Sequence, residues 1–505
     1  MISRFNTLPL FLQFVVVMAV SMLVPALYGL ALEHHTVARN FFYACILLLI
    51  GVALIGIAMS DRTRAPSDLD HLLSLFGAFT ILPAMIAVPF AESLPDTGYF
   101  NAYFEMVSSL TTTGATLFDA PERLSPALHL WRAQVAWLGG LLMWVAAAAV
   151  LSPLNLGGFE VTARADKVTL EGLPAQMAMA TPRKRWQKAV LQMTPIYAGL
   201  TLILWVLLMM SGDASIVGLT HAMSTMSTSG ISAVGGVPSS GSGLAGELCI
   251  FLFFVFALSR LTFWSQTGSV GRQNLPSDPE FRLAIILAFG IPILLFLRHW
   301  VGAYEVEEQE NLFAGLRALW GALFTVMSFL TTTGFESSDW AAARGWSGLG
   351  TPGLILMGVA VIGGGVATTA GGVKLLRVFA LYLNGLREME KLVHPSSVSG
   401  SGNQSRWIRR KGAVIAWVFF MLFAMSLAGV SMILAVLGVD FEQALVLSIA
   451  ALSTTGPLVQ TAADHPVELI ALAPSIKAVL CGAMVLGRLE ALAVIALISP
   501  ELWRN

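Results

Sequence analysis

The chain has 505 residues, of which 56% are hydrophobic and only 12% are charged, and its mean hydropathy is +0.76. Soluble domains carry about 25% charged residues, so a soluble globular class is excluded. The net charge of −1 gives no electrostatic footprint for a nucleic-acid partner.

A helix that crosses a hydrocarbon core of about 30 Å needs about 20 mostly apolar residues. In chain order such runs fall at 9–32, 41–59, 71–92, 131–156, 189–211, 244–263, 281–301, 351–380, 412–438 and 474–499. The first is longer than the apolar part of a secretory leader, about 7–15 residues, and is read as a span. Ten spans are therefore expected. Lys and Arg in the connections set their orientation. With the N-terminus cytoplasmic, the inner segments hold Arg4, Arg62, Arg64, the cluster from Arg164 to Lys188, Arg260, Arg272, Arg282, the cluster from Lys374 to Lys411, and Arg504. The outer segments hold only Arg39, Arg123, Arg132, Arg298, Arg317 and Arg344, and the acidic run "EVEEQE" (305–310). Both termini are thus expected in the cytoplasm. Cys45, Cys249 and Cys481 lie in apolar runs without metal-ligand spacing and read as reduced packing residues.

Between the spans lie segments at 100–112, 215–227, 313–331 and 441–453 that are too short or too polar to cross, yet helical in pattern. Each runs into one polar motif: "SLTTTGAT" (109–116), "STMSTSGIS" (224–232), "FLTTTGFES" (329–337) and "ALSTTGPLV" (451–459). One such motif alone reads as a helix cap followed by a turn. Four copies in matched positions, with Gly114, Gly230, Gly334 and Gly456 marking the register, define a long-period repeat. The expected fold is an all-α polytopic membrane protein. Two N-terminal transmembrane helices (1–66) precede four units, 67–160, 186–272, 278–392 and 408–505. Each unit is an outer helix, a short re-entrant pore helix, a filter loop and an inner helix around one pore.

Irregular backbone at membrane depth survives only against protein or a water-filled path. Four such loops around one axis would gather carbonyls and threonine hydroxyls into rings that replace the hydration shell of K⁺. Glycine permits the positive φ that inward-pointing carbonyls require, and the partly negative C-termini of the short helices would face the cation. The candidate filter residues are Thr111, Thr112, Thr113, Gly114, Ser227, Thr228, Ser229, Gly230, Thr331, Thr332, Thr333, Gly334, Ser453, Thr454, Thr455 and Gly456. No carboxylate occupies the core motif, which suits a monovalent ion held by dipoles.

With "FEMVSSLTTTGAT" (104–116), "TTTGFESSDW" (331–340), "GGGVATTAGGVKLLRV" (363–378) and "GRLEALAVIALISPELWR" (487–504), the chain resembles the ion-conducting subunit of the Trk/Ktr/HKT superfamily of K⁺ transporters, in particular the bacterial Trk type. The resemblance covers essentially the whole length. It implies K⁺ uptake across the bacterial cytoplasmic (inner) membrane, one pore per subunit, homodimers, and a cytosolic NAD/ATP-binding regulatory ring subunit. Carried over, the K⁺-contacting positions are Thr112, Thr113, Thr228, Ser229, Thr332, Thr333, Thr454 and Thr455. The transported ion is the only cofactor implied for this chain. The second loop has Thr-Ser-Gly where family members often have Thr-Gly-Gly, and the fourth continues with Pro457, so the filter is not fourfold symmetric.

Two further features concern gating. The run 351–380 is interrupted by "IGGGVATTAGGVK" (362–374), with Gly363, Gly364, Gly365, Gly371 and Gly372. Each glycine costs up to about 1 kcal/mol in a helix. The interruption is either a kink for close packing or, as the resemblance implies, an intramembrane loop that obstructs the pore, with Lys374 at its cytosolic end. Arg488 lies roughly 21 Å into its span at about 1.5 Å per residue. A charge at that depth marks an ion pathway, or pairs with another helix. Glu490, two positions on, points away from it. Glu105 reads as a buried hydrogen-bond acceptor shaping the filter, and His221 as packing.

No HExxH, GxSxG or Walker motif is present, so no enzyme is expected. "GSGLAG" (241–246) matches a dinucleotide fingerprint without the strand that would give it meaning. The alternative class is an ion-coupled secondary transporter of Na⁺ or a small solute. Its repeats would usually be paired and inverted.

Overall fold

Residues 8–59, 67–152, 181–259, 278–302, 312–349, 351–393, 412–462 and 466–490 are described by a computed structural model of the chain. Among them every regular element is helical. The N-terminal pair is Leu10–Ala31, broken at Met22, and His35–Ala58. The latter leaves Leu47, Leu54 and Ile57 more than 60% exposed. A helix that is apolar all round and uncovered by the rest of its chain belongs in hydrocarbon.

Beyond it, an order of long helix, short helix, loop and second helix occurs four times. First come Asp68–Glu92 with a break at Ile81, Tyr99–Leu110, and Pro126–Ala146 running on to Leu151. Then come Pro182–Met210, Ser215–Ser227 and Gly243–Ala257. The third set is Pro279–Gly302, Leu312–Leu330, and the pair Gly353–Ile362 and Leu375–Val393; the fourth is Ala413–Val436, Phe441–Leu452 and Pro474–Leu489. Local chemistry sets many of these boundaries. Ser67 and Asp70 form a reciprocal capping box. Pro126, Pro182 and Pro474 open their helices, where a missing N–H costs nothing.

Among the described residues eight helices are long and apolar enough to cross a membrane, and the chain is a multi-pass membrane protein. Two expectations on length need correction. The third short helix, Leu312–Leu330, has 19 residues against 12, 13 and 12 for the others, and by length and composition it could span. Among the described residues the expected span 244–263 holds only the shorter helix Gly243–Ala257, and 351–380 holds the short helix Gly353–Ile362 followed, after the Gly-rich break, by the start of Leu375–Val393. In the second case the helix stops where the glycines begin, since Gly363 sits at φ +73°. The tail of the expected last span, 491–499, the run 305–310 and most of the basic inner segments lie outside the described residues.

Polarity is inverted relative to a soluble protein. Apolar side chains cover the outside of the long helices, whereas Ser108, Ser109, Thr111–Thr113, Ser224, Ser227–Ser229, Thr331–Thr333 and Ser453–Thr455 are buried. Buried hydroxyls and amides need partners or a ligand. They concentrate where the four loops meet.

Candidate functional site

Each short helix ends in the same way. The N–H of Thr113 closes onto the Ser108 carbonyl at 2.9 Å, and that of Thr112 onto Ser109 at 2.9 Å. The equivalent bonds run from Ser229 to Ser224 (3.0 Å) and Thr228 to Thr225 (3.3 Å), from Thr333 to Ser328 (2.9 Å) and Thr332 to Phe329 (3.1 Å), and from Thr455 to Ala450 (2.8 Å) and Thr454 to Ala451 (3.3 Å). This paired pattern is the Schellman helix cap, whose left-handed residue is usually glycine. Here it is a threonine in all four loops: Thr112 at φ +56°, Thr228 at +54°, Thr332 at +58° and Thr454 at +54°. A β-branched residue in that region is a true outlier and costs about 1–3 kcal/mol. The same strain held four times, in buried polar loops, marks a functional constraint.

The expected glycines behave alike in three loops only. Gly114, Gly230 and Gly334 have φ of +72°, +67° and +81°, but Gly456 is not in the left-handed region. Instead its N–H donates to the Thr113 carbonyl at 2.6 Å, and Pro457 opens the short helix Leu458–Thr461. The loops touch in cyclic order. A side chain at Gly114 would overlap the Ser229 carbonyl, and one at Gly230 would overlap the Thr333 carbonyl. A side chain at Gly334 would press on Pro457 at 2.9 Å, and one at Gly456 would overlap Ala115.

The side chains divide cleanly. In every loop the residues flanking the left-handed threonine bond to each other: Thr111 with Thr113 (2.8 Å), Ser227 with Ser229 (3.0 Å), Thr331 with Thr333 (3.0 Å) and Ser453 with Thr455 (3.2 Å). The hydroxyls of Thr113, Ser229, Thr333 and Thr455 are therefore turned back to their own helix ends. The left-handed threonines differ. The Thr112 and Thr454 hydroxyls are buried without a hydrogen-bond partner, Thr228 donates to the Ser227 carbonyl, and Thr332 accepts from the Gly371 N–H at 2.8 Å.

A second tier braces the outgoing segments, and sequence reasoning found only part of it. Seven residues before each left-handed threonine stand Glu105, His221, Thr325 and Leu447. Glu105 accepts the Leu117 N–H at 3.0 Å and pairs with Arg132 at 2.6 Å, which makes Arg132 a buried partner rather than an outer-loop charge. The His221 ring bonds Ser232 at 2.8 Å, so it braces rather than merely packs. Its other nitrogen stands 3.8 Å from Asp213. Burial opposes ionisation of Asp213, but His221 and the Ser242 N–H outweigh it and hold the carboxyl below its usual range. Thr325 accepts the Ser337 N–H at 3.2 Å, and Glu247 accepts from Trp320, Ser337 and Ser338 beside it. Leu447 has nothing to offer. The fourth loop is instead held from the far side, by Gln460 on Asp119 (3.2 Å) and Thr461 on Glu336.

Above the loops, Gly114, Gly230, Gly334 and Gly456 line one vestibule of about 200 Å³, with Asp119 and Glu336 in its wall. At the opposite end lies the Gly-rich segment 363–374. It is a loop tied back to its own helix by Val373 N–H on Val361 (2.9 Å) and Lys374 N–H on Ile362 (2.9 Å). Its Thr369 hydroxyl donates to the Met226 carbonyl at 3.1 Å, and its Thr369 carbonyl accepts from Arg488 at 2.6 Å. The structure thus brings the two expected gating elements into contact. Among the described residues Arg488 forms no ion pair, and its Nε and Nη2 have no hydrogen-bond partner. Lys374, at the end of this loop, is 6% exposed, and its ammonium turns back onto the Ala370 carbonyl. Glu490 pairs with Arg377 at 2.6 Å, and Arg377 also lies over the Phe419 ring. Neither contact was legible from spacing along one helix.

A family described as the cation transport protein TrkH matches residues 250–504. The Trk system potassium uptake protein TrkH of Halomonas elongata is 31% identical over 439 residues, covering 86% of this chain and 84% of that one. The protein of that name from Escherichia coli K12 is 28% identical over 500 residues, 97% of each chain. The crystal structure of the potassium transporter TrkH from Vibrio parahaemolyticus superposes with a TM-score of 0.81 over the whole of both chains at 25% identity. The chain belongs to the TrkH family of cation transport proteins.

Proposed function

We propose that this chain carries K⁺ into the cell through a pore whose narrowest part is the ring of four loops. The observation that carries the reading is the left-handed threonine repeated at Thr112, Thr228, Thr332 and Thr454, strain that an ion site would repay. At each loop the reversed handedness re-aims the adjoining peptide units, so that carbonyls face the centre of the ring. The four helix C-termini add their partial negative charge there. A dehydrated K⁺ exchanges its water shell for these oxygens, and Asp119 and Glu336 in the vestibule wall raise the local cation concentration. The relatives' printed role in potassium uptake agrees with this cargo.

In the same reading the repeat units are 67–160, 186–272, 278–392 and 408–505, and the loop 363–374 with Arg488 holds the pore closed. A guanidinium stays charged at any physiological pH and repels a cation approaching from the cytoplasmic side. The membrane is the bacterial inner membrane, the working form is a homodimer, and a cytosolic nucleotide-binding ring docks on the basic inner segments 157–188 and 374–411. No organic cofactor is assigned to this chain. The test is ⁸⁶Rb⁺ uptake into proteoliposomes with Na⁺ as competitor. Uptake resisted by excess Na⁺ supports a K⁺ filter. Uptake that Na⁺ abolishes at equal concentration, or that requires an ion gradient as driving force, favours the coupled-transporter alternative.

A further inference from the structure

We propose that the Gly-rich loop closes the pore by ligating the inner ring itself: the Gly371 N–H takes the Thr332 hydroxyl oxygen that the ion would otherwise use. Ion occupancy of that ring and loop closure then exclude each other. The proposal rests on the four loops being an ion filter.

The inner ring is defined by subtraction. The flanking hydroxyls bond to each other in all four loops, which leaves those of Thr112, Thr228, Thr332 and Thr454, each on a helix-capping residue that is at most 1% exposed. Two of the four have no partner, the condition of a ligand set awaiting a cation. The third, Thr228, donates its proton to Ser227 and keeps its lone pairs free to accept. Only Thr332 has its oxygen engaged, by Gly371 at 2.8 Å. An amide proton and a cation carry the same sign, so they compete for that oxygen.

Gly371 has no room to do anything else. A Cβ there would overlap the Ser453 carbonyl and the Thr454 hydroxyl, so its backbone lies against the fourth loop while bonding the third. Two residues earlier, Thr369 bonds the end of the second short helix through its hydroxyl and Arg488 through its carbonyl. The segment 369–371 thus touches the third and fourth loops and the end of the second short helix, and is anchored by the buried arginine. Linkage makes the coupling reciprocal: K⁺ in the inner ring opens the loop by the same factor by which loop opening tightens K⁺ there.

The experiment compares Thr→Val at positions 112, 228, 332 and 454, with Thr332→Ser, on the full chain in proteoliposomes. It measures basal ⁸⁶Rb⁺ flux, Rb⁺ over Na⁺ preference, and deuterium uptake of the peptide covering 363–374 in K⁺ or in N-methyl-D-glucamine. Thr332→Val is expected to leak roughly tenfold more than Thr112→Val, the factor corresponding to loss of one buried hydrogen bond of about 1.4 kcal/mol. Thr332→Ser keeps the oxygen and is expected to leak several-fold less than Thr332→Val. In the unmodified protein K⁺ raises deuterium uptake of the loop, and in Thr332→Val uptake is high in both media. Loop exchange indifferent to K⁺, or equal leak from all four valine variants, overturns the ligation while leaving the filter reading in place if preference falls. Unchanged ion preference in all four variants overturns the filter reading, and the ligation with it.

Discussion

Three of the four loops are built alike, and the fourth is not. In the first three, glycine follows the left-handed threonine into positive φ, and a polar side chain two turns back in the short helix holds the outgoing chain. In the fourth, Gly456 takes an ordinary φ, Leu447 replaces the polar brace, and Pro457 wedges against Gly230 and Gly334. Yet all four share the threonine cap and its paired hydroxyls. The inner end of the ring therefore keeps fourfold geometry while the outer end does not. Discrimination between ions, on this account, is concentrated at the inner end, and the fourth loop completes the ring as a fitted piece held by its neighbours.

The largest effect is expected from removing a brace in the first loop. Arg132→Met leaves the Glu105 carboxylate buried and unpaired, at a cost of about 3–5 kcal/mol. Thermal unfolding of the purified protein should show a large loss, which Arg132→Met with Glu105→Leu should largely recover. Stability unchanged by Arg132→Met would remove the brace from the account.

Next in size is Arg488→Gln, in the helix Pro474–Leu489. At about 6 Å and an effective dielectric of about 20, one charge opposes K⁺ by roughly 3 kcal/mol, so basal ⁸⁶Rb⁺ flux should rise by up to about a hundredfold. Wild-type or lower flux from a folded variant would make Arg488 a purely structural anchor of Thr369.

Gly114→Ser meets two obstacles at once, a positive φ and the Ser229 carbonyl. Strain of about 1–3 kcal/mol falls on the first and second loops together. K⁺ over Na⁺ preference should drop while expression persists, and an unaltered preference would take this loop out of the filter.

The smallest effect is expected at the latches of the fourth loop. Gln460→Ala removes a bond to the exposed Asp119 side, worth about 0.5–1.5 kcal/mol at most. It should shift ion preference slightly and leave unfolding temperature within error. A loss of preference as large as that of Gly114→Ser would mean that the fourth loop, not the first three, sets selectivity.

Much of the architecture was legible in the sequence because it is written in local chemistry. Apolar runs of spanning length, turn residues and a motif repeated four times each report on their own neighbourhood. The break at 362–374 was legible for the same reason. What was not legible were features decided by tertiary context. Positive φ was assigned to the glycines, the residues that reach it without strain, whereas the feature common to all four loops sits two residues earlier on threonine, where only the surrounding structure can hold it. Arg132 looked like an outer-loop charge because its partner, Glu105, lies on a different helix. Lys374 ends a polar stretch in sequence but folds back onto its own loop. The third short helix follows the motif of the others, yet its apolar length alone would have made it a span.

If the four loops form the proposed filter, an ion sits among Thr112, Thr228, Thr332 and Thr454. The most direct test is the anomalous difference map of crystals grown in Rb⁺. Density is expected on the axis of the four loops, within coordination distance of their carbonyls and hydroxyls, and absent from crystals grown in N-methyl-D-glucamine. Rb⁺ density found only elsewhere in the protein, with none among the four loops, would contradict it.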